Sequence, residues 1–315
     1  MGPRTQAAVV CGMLVVLGGC IPSGPVSTSP PASDPSSTPT SAPPSAAPRD
    51  DAAAPAQSPP PPGTRGLVYV AGPRARTGEL LLFAEQTSFA GRKDLLAAAR
   101  AATSGAPADP DHTSLWRTGA PVAVRLWWDG DEGYYDVRLP DVRSTERPAG
   151  TTMREAHLAI QQVVWTLQSV GGIAAPVRFH VGRRGDPVTD LLGVPATGPG
   201  ATYLAADHGG VLSRVDILAP AEGARVQGEV ALSGLAESFE GTVAIRAFDE
   251  SGRRVHDDSA TAEQCCGRLW PWRHVLDTSG WEPGTYVVQA LTDDPVGIDN
   301  GSDGPEIDTR TIVVR

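Results

Sequence analysis

The residues best equipped for chemistry lie in the last third of the chain. Cys265 and Cys266 are adjacent, and neighbouring thiols admit a ring disulfide, a bridge to another chain, or a redox dithiol. Across a trans peptide their Cα atoms sit about 3.8 Å apart, closer than the roughly 4.4–6.8 Å of most bridged pairs, so a ring would be strained. Redox dithiols normally use a C-x-x-C spacing. The expected role is to stiffen the loop ahead of Trp270. Trp270, Trp272 and Trp281 would supply a flat aromatic platform for a glycan or a protein if they are exposed, and core plugs if they are not. Trp127 and Trp128, neighbours on a strand, would point to opposite faces.

Oxygen and nitrogen ligands are plentiful but weakly patterned. Asp299, Asn300 and Asp303 would offer oxygens to calcium, yet no glutamate follows Asp299 at the EF-hand distance, and a solvated loop is expected. His112, His157, His180, His208, His256 and His274 show no H-E-x-x-H or other metal-ligand spacing. Glu237 and Glu240 would make an acid/base pair for glycoside cleavage only if their carboxyls converge. No G-x-S-x-G or phosphate-loop motif occurs. No catalytic residue, metal or cofactor is therefore expected.

The N-terminus carries a different chemistry. Arg4, the apolar run Ala7–Leu17 and the small residues after it read as an export signal over 1–19. That run is too short to cross a bilayer, which takes about 20 residues. Leu17-Gly18-Gly19-Cys20 resembles the bacterial lipobox. The resemblance implies cleavage before Cys20, whose thiol would then carry the lipid that holds the protein on the outer face of the cytoplasmic membrane. Cys11 would leave with the signal.

Residues 20–65 are Pro-, Ser-, Thr- and Ala-rich, with too little apolar surface to offset the entropy of ordering, and read as a disordered tether. Its 45 residues after Cys20 would reach about 140 Å as polyproline and about 40 Å as coil. Beyond it, residues 66–208 carry 14 basic and 15 acidic side chains, and residues 213–315 carry 9 and 18. The second part is thus acidic, at 9 − 18 = −9. That balance excludes nucleic acid as a partner, since phosphate neutralisation needs clustered Lys and Arg. A single lysine, Lys93, against 25 arginines points to a high-GC, actinobacterial source.

These residues need elements to position them. Leu67–Ala71 and Glu79–Ala84 read as strands. Arg92–Thr103 then switches to helical period, with Leu95, Leu96, Ala99 and Ala102 on one stripe. Val122–Trp128 and Tyr134–Leu139 flank the turn Asp129-Gly130-Asp131 as a hairpin. Thr152 and Glu155 fit a capping box opening a helix whose stripe includes Met153, Ala156, Ile160, Val163, Val164 and Leu167, ending at Gly171-Gly172. Pro176–Val181 is a further strand. The expected fold of 66–194 is one α+β layer, a sheet covered on one face.

The strings Leu67-Val68-Tyr69-Val70, Ser114-Leu115-Trp116, Tyr135-Asp136-Val137-Arg138-Leu139 and Gln161-Gln162-Val163-Val164-Trp165-Thr166-Leu167, with the helix around Leu95–Ala102, resemble the GerMN domain of sporulation, germination and related envelope lipoproteins. The resemblance implies a fold and supplies no catalytic motif.

A Gly-, Ala- and Pro-rich stretch at 195–212 reads as an interdomain linker. After it come seven strands without a helix: Val215–Leu218, Gly228–Gly234, Val243–Phe248, Val255–Thr261, Trp272–Leu276, Thr285–Leu291 and Thr309–Val314. The expected fold of 213–315 is an immunoglobulin-like β-sandwich. Pro220-Ala221-Glu222-Gly223-Ala224, Ser233-Gly234, Glu237-Ser238-Phe239-Glu240-Gly241 and Gly284-Thr285-Tyr286 resemble the immunoglobulin-like domain of bacterial spore germination, a known companion of GerMN. Together the resemblances imply a lipid-anchored binding or assembly protein of the cell envelope without catalytic activity, with an envelope protein as partner. The competing classes are a cell-wall-acting enzyme and a glycan-binding module.

Overall fold

The computed structural model describes residues 64–89, 94–130, 132–182, 185–294, 297 and 303–315. The export signal, Cys11, Cys20, the tether up to residue 63, Lys93, and Asp299 with Asn300 lie outside them. No helix among the described residues is long and apolar enough to cross a membrane.

The chain forms an α+β domain followed by an immunoglobulin-like β-sandwich. It opens with β1 (Thr64–Pro73) and β2 (Leu80–Phe89), an antiparallel hairpin paired from Thr64↔Phe89 to Pro73↔Leu80. The strand thus takes in the last two residues expected in the tether. The run Leu81–Glu85 is buried without alternation, the mark of a strand covered on both faces. α1 (Leu95–Ser104) follows, its first turn capped by the Asp94 carboxylate on the Ala97 N–H at 3.0 Å.

A four-stranded sheet holds β3 (Ala123–Asp129), β4 (Glu132–Leu139), β5 (Val177–Val181) and β8 (Thr202–Tyr203) in that order. β4 and β5 run parallel and are joined through α2 (Met153–Gly171), which covers one face of the sheet. β6 (Asp190–Leu191) and β7 (Val194–Pro195) form a short pair, and α3 (His208–Val211) is a single turn.

Three sheets, the β1–β2 hairpin, the four-stranded sheet and the β6–β7 pair, thus replace the single sheet expected. At the outer edge of β1, helix side chains meet the backbone around Tyr69, whereas the outer edge of β2 is met by the Ser213 N–H on the Leu82 carbonyl and by the Asp216 carboxylate on the Ala84 N–H. The Tyr69 N–H donates to Thr166 Oγ1 at 2.9 Å, and the Tyr69 carbonyl accepts from Gln162 Nε2 at 3.2 Å, both from α2. Buried backbone groups need partners, and these two polar side chains supply them on an otherwise apolar helix face.

α2 begins with the expected capping box. Thr152 Oγ1 accepts from the Glu155 N–H at 3.1 Å, and Glu155 accepts from the Thr152 N–H at 2.7 Å. It ends at Gly172, in the left-handed region at φ 70°. Met153, expected on the apolar stripe, is exposed at the first position, where the helix has not yet reached the sheet.

Residues 195–212, expected as a linker, are folded onto the first domain. Tyr203 on β8 is buried edge-on against Phe179 at 5.5 Å, and Val211 and Leu212 are buried in the same core. The small residues around them leave no period by which the segment's burial could be read.

The sandwich pairs two sheets. The five-stranded one runs β10 (Ala224–Val226), β16 (Ile307–Val314), β15 (Gly284–Thr292), β12 (Thr242–Asp249), β13 (Arg254–Thr261). The three-stranded one runs β14 (Trp270–Asp277), β11 (Glu229–Ala236), β9 (Val215–Ala219). Each expected strand is present. The added one, β10, is three residues long and too short to show alternation. Inward residues such as Val243, Ile245, Ala247, Val288, Ile312, Leu232 and Trp272 fill the core.

Candidate functional site

The two domains meet through buried polar groups. β2 lies beside β9, and five acids are buried in this region: Glu85, Asp109, Asp216, Glu306 and Asp308. A buried carboxylate is tolerated only when donors surround it. Glu85 accepts from the Ala108 and Asp109 N–H groups at 2.7 and 3.2 Å and pairs with His112 Nδ1 at 2.9 Å. These bonds outweigh burial and hold its carboxyl below the usual range. His112 stacks on Phe83 at 4.7 Å, and its Nε2 lies 3.9 Å from Asp308. Burial opposes a charge on this imidazole, but Glu85, Asp308 and Asp109 outweigh it and raise its pKa.

Arg310 on β16 is the cationic centre. Nη1 donates to Asp109 Oδ2 at 2.9 Å and Nη2 to the Ile217 carbonyl, with Asp308 at 3.8 Å. Asp308 also accepts from the Ile217 N–H at 2.6 Å. Burial nevertheless lifts its carboxyl to about 6, against the pull of Arg310. Asp216, fully buried on β9, accepts from the Ala84 N–H of β2 at 3.0 Å, while its second oxygen has no hydrogen-bond partner among the described residues. Burial, reinforced by Asp308, holds its pKa far above the carboxylate range. At the rim, Arg74 donates to Glu306 at 3.0 Å and Asp303 at 2.6 Å, and Glu306 also accepts from the Arg214 N–H at 2.6 Å.

A cleft of about 340 Å³ opens beside this cluster, with Phe83, His112, Asp308 and Thr309 in its walls. Asp109, His112 and Asp308 each place a donor atom within 4.8 Å of the others. Arg310 already supplies positive charge there and His112 is paired with Glu85, so the arrangement acts as an internal polar network that ties β2 to β9 and β16. Its members lie far apart in sequence and carry no local signal.

The residues singled out from the sequence meet other fates. Trp272 is 1% exposed and fills the sandwich core. The expected three-tryptophan platform is corrected accordingly, because the inward face of β14 buries Trp272 while Trp270 and Trp281 are half-buried against the same core. Trp270 lies under the Arg268 guanidinium at 3.6 Å and donates to the Cys266 carbonyl at 3.2 Å. Trp281 packs against Tyr286 with ring centroids 4.7 Å apart and the planes tilted by 44°.

Cys265 and Cys266 are exposed free thiols. Trp270 and Glu237, whose carboxylate accepts from the Gly267 N–H at 2.7 Å, stiffen this loop. Glu237 also bonds His208 at 3.0 Å, while Glu240 is exposed in a left-handed turn, so the two carboxylates do not act as a pair. Asp303 is committed to Arg74. His180 bonds Asp136 at 3.1 Å. Trp127 and Trp128 are 47% and 56% exposed near the tip of the β3–β4 hairpin, the most exposed tryptophans among the described residues.

Residues 214–298 match the immunoglobulin-like domain of bacterial spore germination. The match stops before β16, so Asp308 and Arg310 lie outside it. Among solved structures, the tandem GerMN domains of the sporulation protein GerM from Bacillus subtilis align over 70% of this chain and 63% of that one, at 13% identity and a TM-score of 0.30. An endo-beta-1,4-mannanase from Thermotoga petrophila aligns over 54% of this chain and 37% of that one, at 11% identity and a TM-score of 0.25. This chain therefore spans less than two thirds of either, and superpositions this loose carry no argument about function. No curated protein sequence matches the chain. What the comparisons support is that the second domain is similar to the immunoglobulin-like domain of bacterial spore germination.

Proposed function

We propose that this chain is a non-catalytic binding or assembly protein of the bacterial cell envelope, held by a lipid on Cys20 at the extracytoplasmic face of the cytoplasmic membrane. The reading gives the first domain a GerMN-like role and the second a surface for an envelope protein partner. One observation carries it: the buried bond from Arg310 to Asp109. Together with its neighbours, that bond commits the polar side chains of the domain interface to holding two domains as one body, which is what a scaffold between a membrane and a partner requires. The similarity of residues 214–298 to a spore-germination domain supports the same reading.

Crosslinking in the native envelope followed by mass spectrometry, comparing wild type with Cys20→Ala, tests it. Recurrent partners crosslinked to one domain and lost with the anchor are the expected result. Peptidoglycan or glycan turnover by the protein would overturn the non-catalytic reading.

A glycan-binding module is the second reading, favoured by the exposure of Trp127 and Trp128. Flat rings on a hairpin offer contact area at low entropic cost. Loss of cell-wall co-sedimentation in Trp127→Ala and Trp128→Ala would support it.

A further inference from the structure

The two sheets of the sandwich meet at one open edge, where β13 lies beside β14 and Ala262 bridges to Trp272. On β13, His256 and Asp258 are paired with Ala247 and Ile245 of β12, both core residues, and so share the inward face. On β14 the inward face carries Trp272, His274 and Leu276. His274 therefore approaches His256 and Asp258 across the seam.

The geometry is that of a ligand set. The two imidazole rings are 5.7 Å apart, and His274 Nε2 lies 3.8 Å from Asp258 Oδ2. One donor atom from each of the three residues lies within 4.8 Å of the others. A tetrahedral zinc ion with bonds of about 2.0–2.2 Å holds its ligand atoms about 3.3–3.6 Å apart, so modest side-chain adjustment closes the site.

Among the described residues, neither Nε2 of His256 nor Nε2 of His274 has a hydrogen-bond partner although both atoms are buried, and the His274 side chain is only 10% exposed. An unsatisfied buried polar atom is destabilising, and its occurrence on two facing imidazoles calls for a shared partner. Asp258 is 58% exposed and sits at the mouth, which leaves an ion a way in and a coordination position facing solvent.

We infer that His256, Asp258 and His274 form a binding site for a divalent ion of the zinc class, which clasps the two sheets at their open edge. Two imidazoles and one carboxylate suit a borderline-soft ion better than calcium or magnesium, which take oxygen ligands.

The test uses the full-length chain with all four cysteines changed to serine, so that thiolates do not compete. Zinc is titrated by calorimetry, cobalt by its visible absorption, and thermal unfolding is followed with and without zinc. One ion per chain is expected, with a zinc-dependent rise in Tm. His256→Gln, His274→Gln and Asp258→Asn should each weaken binding at least about tenfold and abolish that rise. No saturable binding below about 100 µM zinc, or affinity unchanged in both Asp258→Asn and His256→Gln, would overturn the inference. Asp258→Asn alters an exposed side chain, so the test stands even where His274→Gln fails to fold.

Discussion

Arg310 on the last strand donates to Asp109 in the first domain at 2.9 Å, across 201 positions of sequence, with both side chains buried. Removing one partner of a buried pair leaves the other charged and unsolvated, typically a loss of about 3–5 kcal/mol. Arg310→Met and Asp109→Asn should each destabilise on that scale, and the double variant by less than the sum of the two. Urea denaturation should also show Arg310→Met splitting one transition into two as the domains uncouple. A single transition with an unchanged midpoint would refute this role.

The cluster also predicts how stability depends on pH. Asp308 binds its proton more tightly folded, at about 6, than unfolded, near 3.8. Raising the pH through about 6 therefore removes stability, on the order of 3 kcal/mol by linkage. His112 acts in the same sense, because its raised folded pKa gives stability present below its unfolded value and lost as pH climbs through the folded one. Glu85 is lowered, so its contribution fades only as pH falls below about 4.5. The urea midpoint should be higher at about pH 5.5 than at pH 8, and Asp308→Asn should reduce that difference. A midpoint that rises with pH in the wild type would contradict the assignment.

Thr152→Ala removes half of the capping box on α2. The expected loss is about 0.5–2 kcal/mol, read from chemical denaturation, with Thr152→Ser close to wild type. An undiminished stability in Thr152→Ala would mean that sheet packing alone holds the first turn.

The tryptophans separate by burial. Trp272→Ala should cost about 3–5 kcal/mol, because it opens a cavity in the sandwich core. Trp127→Ala, on an exposed hairpin, should change stability by no more than about 0.5 kcal/mol. Comparable losses in the two variants would contradict these positions.

A methyl group at Gly171 would clash with the Tyr135 hydroxyl, which donates to the Ile173 carbonyl beyond the helix end. Gly171→Ala should therefore cost about 1–3 kcal/mol by overpacking, despite the better helix propensity of alanine. Combining it with Tyr135→Phe, which removes the clashing oxygen, should recover part of the loss in the same denaturation assay.

What the amino-acid sequence determined by itself was local. Thr152, Glu155 and Gly172 announced both ends of α2, because caps act within one turn. Alternation in runs such as Val243–Phe248 and Thr285–Leu291 marked strands with one face in a core, because the side-chain period of a strand is two. The unbroken run Leu81–Ala84 carried its double-sided burial openly, though not what would cover the second face. Only the tertiary structure decided that Trp272 is core, that residues 195–212 complete the first domain, and that Asp109, Asp216, Asp308 and Arg310 converge. Only it brought His274 to His256 and Asp258. These residues sit on different sheets or in different domains, and no spacing along a chain encodes a meeting made by closing a sandwich edge or docking one domain on another.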